Sequence, residues 1–410
     1  MDYCSSGGND RRLAKGLVAF HKDIDRNMCA AIIGYGETAL GEVPGYHFEE
    51  LNMWAVKEAM DDAGVTPDDI DGFIASPPFR GNKVGVYPLA EYLGIMPIRW
   101  GETNALGGAS HLQSYMSAVR AIETGLAEMV LVVSADPFLS RMGRKDAVGS
   151  LSGAAGPFEE HANIIPSLYA HAATWHMDTF GTTEEQLAKV AEIGYRHASM
   201  QPEHRSHMNE EKSVDEILRS SMIAYPFTRH QCSLISDGGG AFIVASDKKA
   251  TEHADIPIEL AGFGAHHTHR HITQMPDFGR SGAVEAGQQA FSQADVDHED
   301  IDVVEIYDAF TFSVIKSLED LGFCEQGEGG ELVMSGELEL GGAYPMNTHG
   351  GSLAQAHPGL PSGLFHLIEG VRQLRGEGGK TQVDGAETAL VTGNGGIYST
   401  QTVGILERGG

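Results

Sequence analysis

The sequence predicts an α/β fold layered α/β/α/β/α, made of two like halves with a lid inserted into the first. Three observations carry this. Amphipathic helical stretches alternate with short apolar strands along most of the chain, the pattern of parallel sheets covered on both faces. A helix-to-strand segment, Asp62-Ala-Gly-Val65-Thr-Pro-Asp-Asp69-Ile70-Asp71, has an echo 231 residues later in Ala294-Asp-Val296-Asp-His-Glu-Asp300-Ile301-Asp302. Between residues 136 and 235 the alternation gives way to loops, aromatics and longer helices.

The first strand begins at Cys29-Ala-Ala-Ile-Ile, directly after Met28, so residues 1–27 read as a disordered tail or an extension preceding the true start. An amphipathic helix over 48–63 leads into the first copy of the repeat and a buried strand near 72–75. A helix over 110–124 runs through Gly125 into the apolar strand 129–134. The insertion, with a helix over 183–199, reads as a cap over this half. Asp237-Gly-Gly-Gly-Ala-Phe-Ile-Val-Ala-Ser246 closes the half with a strand. The second half, residues 251–410, repeats the scheme: a helix over 282–293, the second copy of the repeat, a helix over 363–375 and a strand over 389–392. Residues 28–250 form the first half. No low-complexity linker separates the two, so they are expected to form one rigid body.

Composition narrows the function. A formal charge of -29 argues against nucleic acid and anionic membranes, which need a basic footprint. No apolar run reaches the ~18–20 residues of a membrane span. Acidic residues outnumber basic ones two to one and Arg exceeds Lys, a surface suited to high salt as well as to an acidic mesophilic enzyme. The four cysteines, Cys4, Cys29, Cys232 and Cys324, lack pairing or C-x-x-C spacing. They read as reduced thiols of a cytoplasmic protein, with no disulfide framework and no metal site.

The most informative stretch is Tyr344-Pro-Met-Asn347-Thr-His349-Gly-Gly351-Ser-Leu-Ala-Gln-Ala-His357-Pro-Gly-Leu-Pro-Ser-Gly363. It sets an Asn, two His and many small residues where a strand should give way to a helix. Small residues let backbone approach a ligand, and imidazoles exchange protons near neutral pH. Three further segments follow a set order around it: Cys232-Ser-Leu-Ile-Ser-Asp237-Gly-Gly, Glu305-Ile-Tyr307-Asp308-Ala309-Phe310 and Thr392-Gly-Asn394-Gly395-Gly396. Over residues 29–407 this combination resembles the thiolase superfamily, with its Asn-Glu-Ala-Phe, Asn-x-x-Gly-Gly…His-Pro and Cys-x-Gly motifs. The resemblance implies the duplicated five-layer thiolase fold, an acyl-CoA thioester substrate, no cofactor beyond that coenzyme A, and a homodimer whose two-fold surface lies near residues 131–134.

The thiolase pattern then breaks. Counting back from Gly125, the nucleophilic Cys of thiolases falls on Gly108, and the second catalytic Cys falls on Thr392. A covalent acyl-enzyme needs a thiolate or an activated hydroxyl, and neither position supplies a thiol. Ser110 reads as a helix cap. A Cys-less chain with Tyr307 in the Tyr-Asp-x-Phe motif resembles the thiolase-like aldolases of steroid side-chain degradation. They cleave a β-hydroxyacyl-CoA by retro-aldol reaction, often with a small zinc-ribbon/OB-fold companion subunit. Those enzymes carry a second Tyr where this chain has His357.

Retro-aldol cleavage needs a base for the β-hydroxyl, stabilisation of the thioester enolate and an acid for its carbon. Tyr307 and His357 are the titratable groups assigned to that work. His349 and Asn347, of the same motif, complete the candidate catalytic set, His349 as an orienting group. Backbone N–H groups around Gly108, Asn394 and Gly395 are candidates for the thioester oxygen. Arg141, Arg144 and Lys145 are candidates for the coenzyme A phosphates. Two other readings stay open: an acyltransferase with an unconventional nucleophile, and a catalytically silent acyl-CoA-binding scaffold.

Overall fold

The computed structural model describes residues 30–79, 85–144, 146 and 164–409; the N-terminal extension, Lys145, Cys4 and Cys29 lie outside them. The repeat anticipated in the sequence recurs element for element. In the first copy, helix α1 (Phe48–Ala63) ends on Gly64 in the left-handed conformation. A 3₁₀ turn (Pro67–Asp69) with a Thr66/Asp69 capping box then feeds strand β2 (Gly72–Ala75). In the second, the helix Ala283–Ala294 ends on Asp295 with φ +60°. The turn His298–Asp300 is capped by Asp297 and Asp300 and feeds strand β9 (Val303–Glu305). Asp71 accepts the N–H groups of Glu128 and Met129, and Asp302 those of Glu387 and Thr388. Each carboxylate therefore pins the start of the neighbouring strand, β4 (Met129–Asp136) or β10 (Thr388–Gly395). Left-handed residues at helix C-termini satisfy carbonyls that would otherwise lack partners.

Besides the small Met222–Ala224/Phe227–Thr228 hairpin, the strands form one sheet in the order β3-β2-β4-β7-β1-β8-β11-β10-β9. Here β1 is Ala30–Glu37, β3 Trp100–Thr103, β7 Gly238–Ser246, β8 Ile258–His267 and β11 Thr400–Arg408. Within the sheet the halves join where Ala31 and Ile32 pair with Glu259 and Ile258. The expectation of parallel sheets is corrected: β2 is parallel to β3 and β4, and β9 to β10, but β7 and β1, and β11 and β8, run antiparallel. The reason is local. In each half one strand (β7 or β11) follows its predecessor without a crossover helix packed against the sheet, so it returns in the opposite sense. Residues 131–134, expected near a two-fold surface, lie in a wholly buried strand between β2 and β7, and the edge strands of the sheet are β3 and β9.

Alternation along the strands sorts their side chains into layers. Ile32, Val130, Val132, Phe242 and Val244, with Leu260, Val303, Val391 and Leu406 of the second half, face helices α2 (Ser110–Glu123) and α7 (Ser362–Arg375). Ile33, Phe73, Leu131, Val133 and Ile243 face α1 on the outside. The outer face of the second half is covered by α5 (Ala283–Ala294) and α6 (Thr311–Asp320). This is the α/β/α/β/α arrangement. The described part of the insertion, α3 (Ile165–Phe180) and α4 (Glu184–Met200), packs its Leu187, Val190, Ala191 and Tyr195 into the cluster of Phe312, Ile315, Leu318 and Leu353. These two helices therefore pack on the second half, where their apolar stripe matches α6, while His204 and Arg205 beyond them reach Leu40 and Glu37 of the first half, the one expected to be capped. No helix among the described residues is long and apolar enough to cross a membrane.

Candidate active site

Strand β9 ends in Glu305, and the chain leaves the sheet through Ile306 into Tyr307. Two contacts hold that exit. The Asn347 side-chain amide accepts the N–H of Ile306 at 2.8 Å and donates to its carbonyl at 2.9 Å, acting as an extra rung of sheet. The Thr392 hydroxyl accepts the N–H of Tyr307 at 2.9 Å. The phenol then reaches His357 Nε2 and Ser362 Oγ, each at 3.0 Å. His357 is itself held by its backbone N–H, which donates to Ser236 Oγ at 2.9 Å. Ser362 opens α7 and also donates to the Gly359 carbonyl at 2.8 Å, and between it and Tyr307 either hydroxyl can be the donor.

The Tyr307 ring lies where a residue at 108 would place its side chain. A Cβ built on Gly108 would meet Tyr307 Cε2 at 2.3 Å and Cζ at 2.5 Å. Gly108 thus leaves room for the ring, and Thr392 holds its backbone. Burial pushes the Tyr307 hydroxyl up to about 12, only partly offset by the Ser362 hydrogen bond. His357 is partly exposed, yet its surroundings push it down to about 4. Desolvation is the cause in both cases, and it leaves two neutral groups in contact at neutral pH.

Beneath this pair lies a second, wholly buried set. His366, on α7, faces Glu305 through Nδ1 and Asp308 through Nε2, both at 3.3 Å. Burial alone would lower His366, but the two carboxylates raise it to about 9. His349 Nδ1 lies 3.1 Å from Glu305 Oε2. Farther along α7, Arg372 pairs with Glu369 and with Glu37, while Thr348 donates to Glu369 at 2.7 Å. The sequence singled out neither His366 nor the Glu369–Arg372 pair as functional. The signal was there: between Gly363 and Leu374, α7 is apolar except for His366, Glu369, Arg372 and Gln373, and a buried helix with ionisable groups must be pairing them.

Of the residues expected at the site, the structure brings Tyr307, His357 and Gly108 together, with Asn394 beside them through its carbonyl, 2.8 Å from a Cβ on Gly108. Gly395 packs against Leu106 and Gly107. The Asn394 side chain is committed to Tyr169 Oη and Gln401. Asn347 is a backbone strap and His349 belongs to the buried set, so neither touches the Tyr307–His357 pair. Arg141 is spent on Asp136 and the Phe79 carbonyl, and exposed Arg144 lies 3.5 Å from Glu42. Both cations sit at the lip of the insertion without a contact to the Tyr307 region. Cys232 and Cys324 are pushed up to about 12 by burial, so both are thiols at neutral pH.

Comparison with known proteins accords with this architecture. Residues 264–408 match the family model described as a thiolase C-terminal domain-like domain. The chain is 32% identical over 393 residues to an acetyl-CoA acetyltransferase of Methanothermobacter thermautotrophicus, covering 92% of this chain and 99% of that one. It is 28% identical over 386 residues to a steroid side-chain-cleaving aldolase of Thermomonospora curvata, covering 89% and 95%. Among solved structures, the Ltp2-ChsH2(DUF35) aldolase superposes with a TM-score of 0.83 at 28% identity, covering 94% of this chain and 99% of that chain. On its sequence and its fold together, the chain belongs to the thiolase superfamily.

Proposed function

We propose that this protein is an acyl-CoA-dependent carbon–carbon lyase that cleaves a β-hydroxyacyl-CoA by retro-aldol reaction, without a covalent acyl-enzyme. The observation that carries the reading is the Tyr307 ring in the space of the missing nucleophile, bonded to His357. The similarity to a steroid side-chain-cleaving aldolase supports the same reaction class.

The chemistry follows from the two neutral groups. A phenol near 12 is too weak an acid to stand ionised at neutral pH, and an imidazole near 4 is too weak a base to take an alcohol proton alone. A relay avoids both difficulties. Tyr307 passes its proton to His357 Nε2 as it accepts the proton of the substrate β-hydroxyl. The Cα–Cβ bond breaks, the β-carbon becomes a carbonyl, and the electron pair moves to the thioester as an enolate. The proton held by the pair then returns to Cα, giving a shorter acyl-CoA. Ser362 steadies the phenolic oxygen by donating to it during the transfer, and backbone N–H groups near Gly108 and Gly395 are assigned to the enolate oxygen. Arg144 remains the available cation for the coenzyme A phosphates.

The acyltransferase reading is the alternative, since the acetyl-CoA acetyltransferase relative favours it. The lack of a thiol at 108 and 392, and two protonated buried thiols elsewhere, weigh against it. A homodimer through the free β3 edge is also part of the proposal. Tyr87, Tyr92 and Met96 are about half exposed beside that edge, which suits a covered surface. A zinc-ribbon/OB-fold partner is proposed from the resemblance to the two-component aldolase.

The test is direct. Purified protein, alone and with any zinc-ribbon protein encoded beside it, is incubated with panels of β-hydroxyacyl-CoA and β-ketoacyl-CoA thioesters. Release of a ketone or aldehyde with a shorter acyl-CoA from the hydroxy substrates is expected. Coenzyme A-dependent cleavage confined to the keto substrates would overturn the lyase reading.

A further inference from the structure

The buried set under Tyr307 holds a problem of charge and of hydrogen bonding. Glu305, His349 and His366 each offer a ligand atom, these atoms lie within 4.8 Å of one another, and all three residues are fully buried. The Glu305 Oε2 atom is 3.1 Å from His349 Nδ1 and 3.3 Å from His366 Nδ1. Both nitrogens of His349 nevertheless lack a hydrogen-bond partner. Nδ1 is thus close to the carboxylate without the alignment of a hydrogen bond.

Glu305 and Asp308 bring two carboxylates into this buried space, and the nearby Arg205 and Arg372 face Glu37 and Glu369. Two buried imidazole nitrogens without a hydrogen-bond partner are costly to leave so.

We propose that Glu305 Oε2, His349 Nδ1 and His366 Nδ1 bind one divalent transition-metal ion of the zinc class. With both imidazoles neutral, a dication cancels Glu305 and Asp308. Two ligand atoms bound tetrahedrally at about 2.0–2.1 Å from zinc stand about 3.4 Å apart, close to the 3.1 and 3.3 Å seen here. The surrounding groups are those a metal site needs. His366 Nε2 faces Asp308 Oδ1 at 3.3 Å, the carboxylate–histidine–metal arrangement that fixes a ligand ring. Asp308 is held by the N–H of Ser352 at 2.6 Å, and the other oxygen of Glu305 by the N–H of Thr348 at 3.1 Å. Such an ion touches no substrate. It ties the end of β9, the 347–351 loop and α7 together directly below Tyr307 and Ser362, and so departs from the expectation of a metal-free chain.

The proposal does not depend on the lyase reading, and its test reads metal, not turnover. The full chain, made without a histidine tag in zinc- or cobalt-supplemented medium, is assayed for metal by mass spectrometry after gel filtration. About one equivalent per chain is expected, with a cobalt spectrum of nitrogen and oxygen ligation free of sulfur. H349N is expected to lose the ion. E305Q serves as the second variant should H349N fail to fold, and the cobalt spectrum of the unaltered chain needs no variant. The exposed pair His266 and His267 is the control, and H266A/H267A should keep the ion. Less than about a tenth of an equivalent in the unaltered chain would overturn the proposal. So would an ion that survives H349N but leaves with H266A/H267A.

Discussion

Adding a single methyl group at Gly108 tests the central claim about this site. The new Cβ would stand 2.3 Å from Tyr307 Cε2, 2.5 Å from Cζ and 2.8 Å from the Asn394 carbonyl oxygen. Carbon atoms pack comfortably at about 3.5–4.0 Å, so the ring must retreat by more than about 1 Å. The backbone cannot supply that movement, because the carbonyl of Gly108 is enclosed by Gly363 and Gly393, where added Cβ atoms would stand 2.0 and 2.7 Å from it. Overpacking of this kind costs about 1–3 kcal/mol of stability. The retreating ring also draws its hydroxyl away from His357 and Ser362. A misplacement of about 1 Å costs on the order of 10²-fold in rate, and full loss of the contact up to about 10⁴-fold. Gly108→Ala is therefore expected to lower both the unfolding free energy, by urea titration, and the cleavage of a β-hydroxyacyl-CoA, by release of the shorter thioester. Gly108→Cys should do the same and should not create a thiolase. In a Tyr307→Ala background the ring is gone, and Gly108→Ala should then cost little further stability. Unchanged stability and turnover in Gly108→Ala would refute the claim that the tyrosine fills the nucleophile's place.

Tyr307→Phe should leave the fold and acyl-CoA binding intact while turnover falls about 10²–10⁴-fold. His357→Ala should cost a similar factor and the double variant little more, since both serve one proton transfer; additive losses in steady-state kinetics would separate the two residues. Alkylating the cysteines of the folded protein should leave cleavage intact, and inactivation in step with Cys232 modification, followed by mass spectrometry, would revive the acyltransferase reading. Acid should destabilise the fold in a defined window. His111 and His357 sit near 3 and 4 in the folded chain against about 6.5 unfolded. The unfolded chain therefore binds more protons as pH falls from about 6.5 towards 3, and stability drops with it. His111 is fully buried with neither ring nitrogen bonded. His111→Leu should flatten that fall, and urea midpoints at pH 7 and pH 5 that move equally in both proteins would count against it.

The sequence by itself determined the repeated unit, the layers and the chemical character of the site. Helix, left-handed cap, 3₁₀ turn and strand recur because the same short-range rules act on Gly64 to Asp71 and on Asp295 to Asp302. Those rules need only neighbours along the chain. Tyr307 and His357 were legible in the same way, as reactive side chains set among small residues. What only the tertiary structure decided depends on groups far apart in sequence. The Tyr307 ring enters the space left by Gly108, 199 residues earlier in the chain. Asn347, which looked catalytic, spends its amide on Ile306, because an irregular exit from β9 needs its backbone groups paired. The two helices of the insertion lie over the second half because their apolar stripe fits α6 there, a match no local pattern encodes. Glu305 and Asp308 flank Tyr307 in one motif, but His366, in a segment of its own, looked like an incidental polar residue. Folding brings them out of water together, and a charge without solvent must find its partner within a few ångströms.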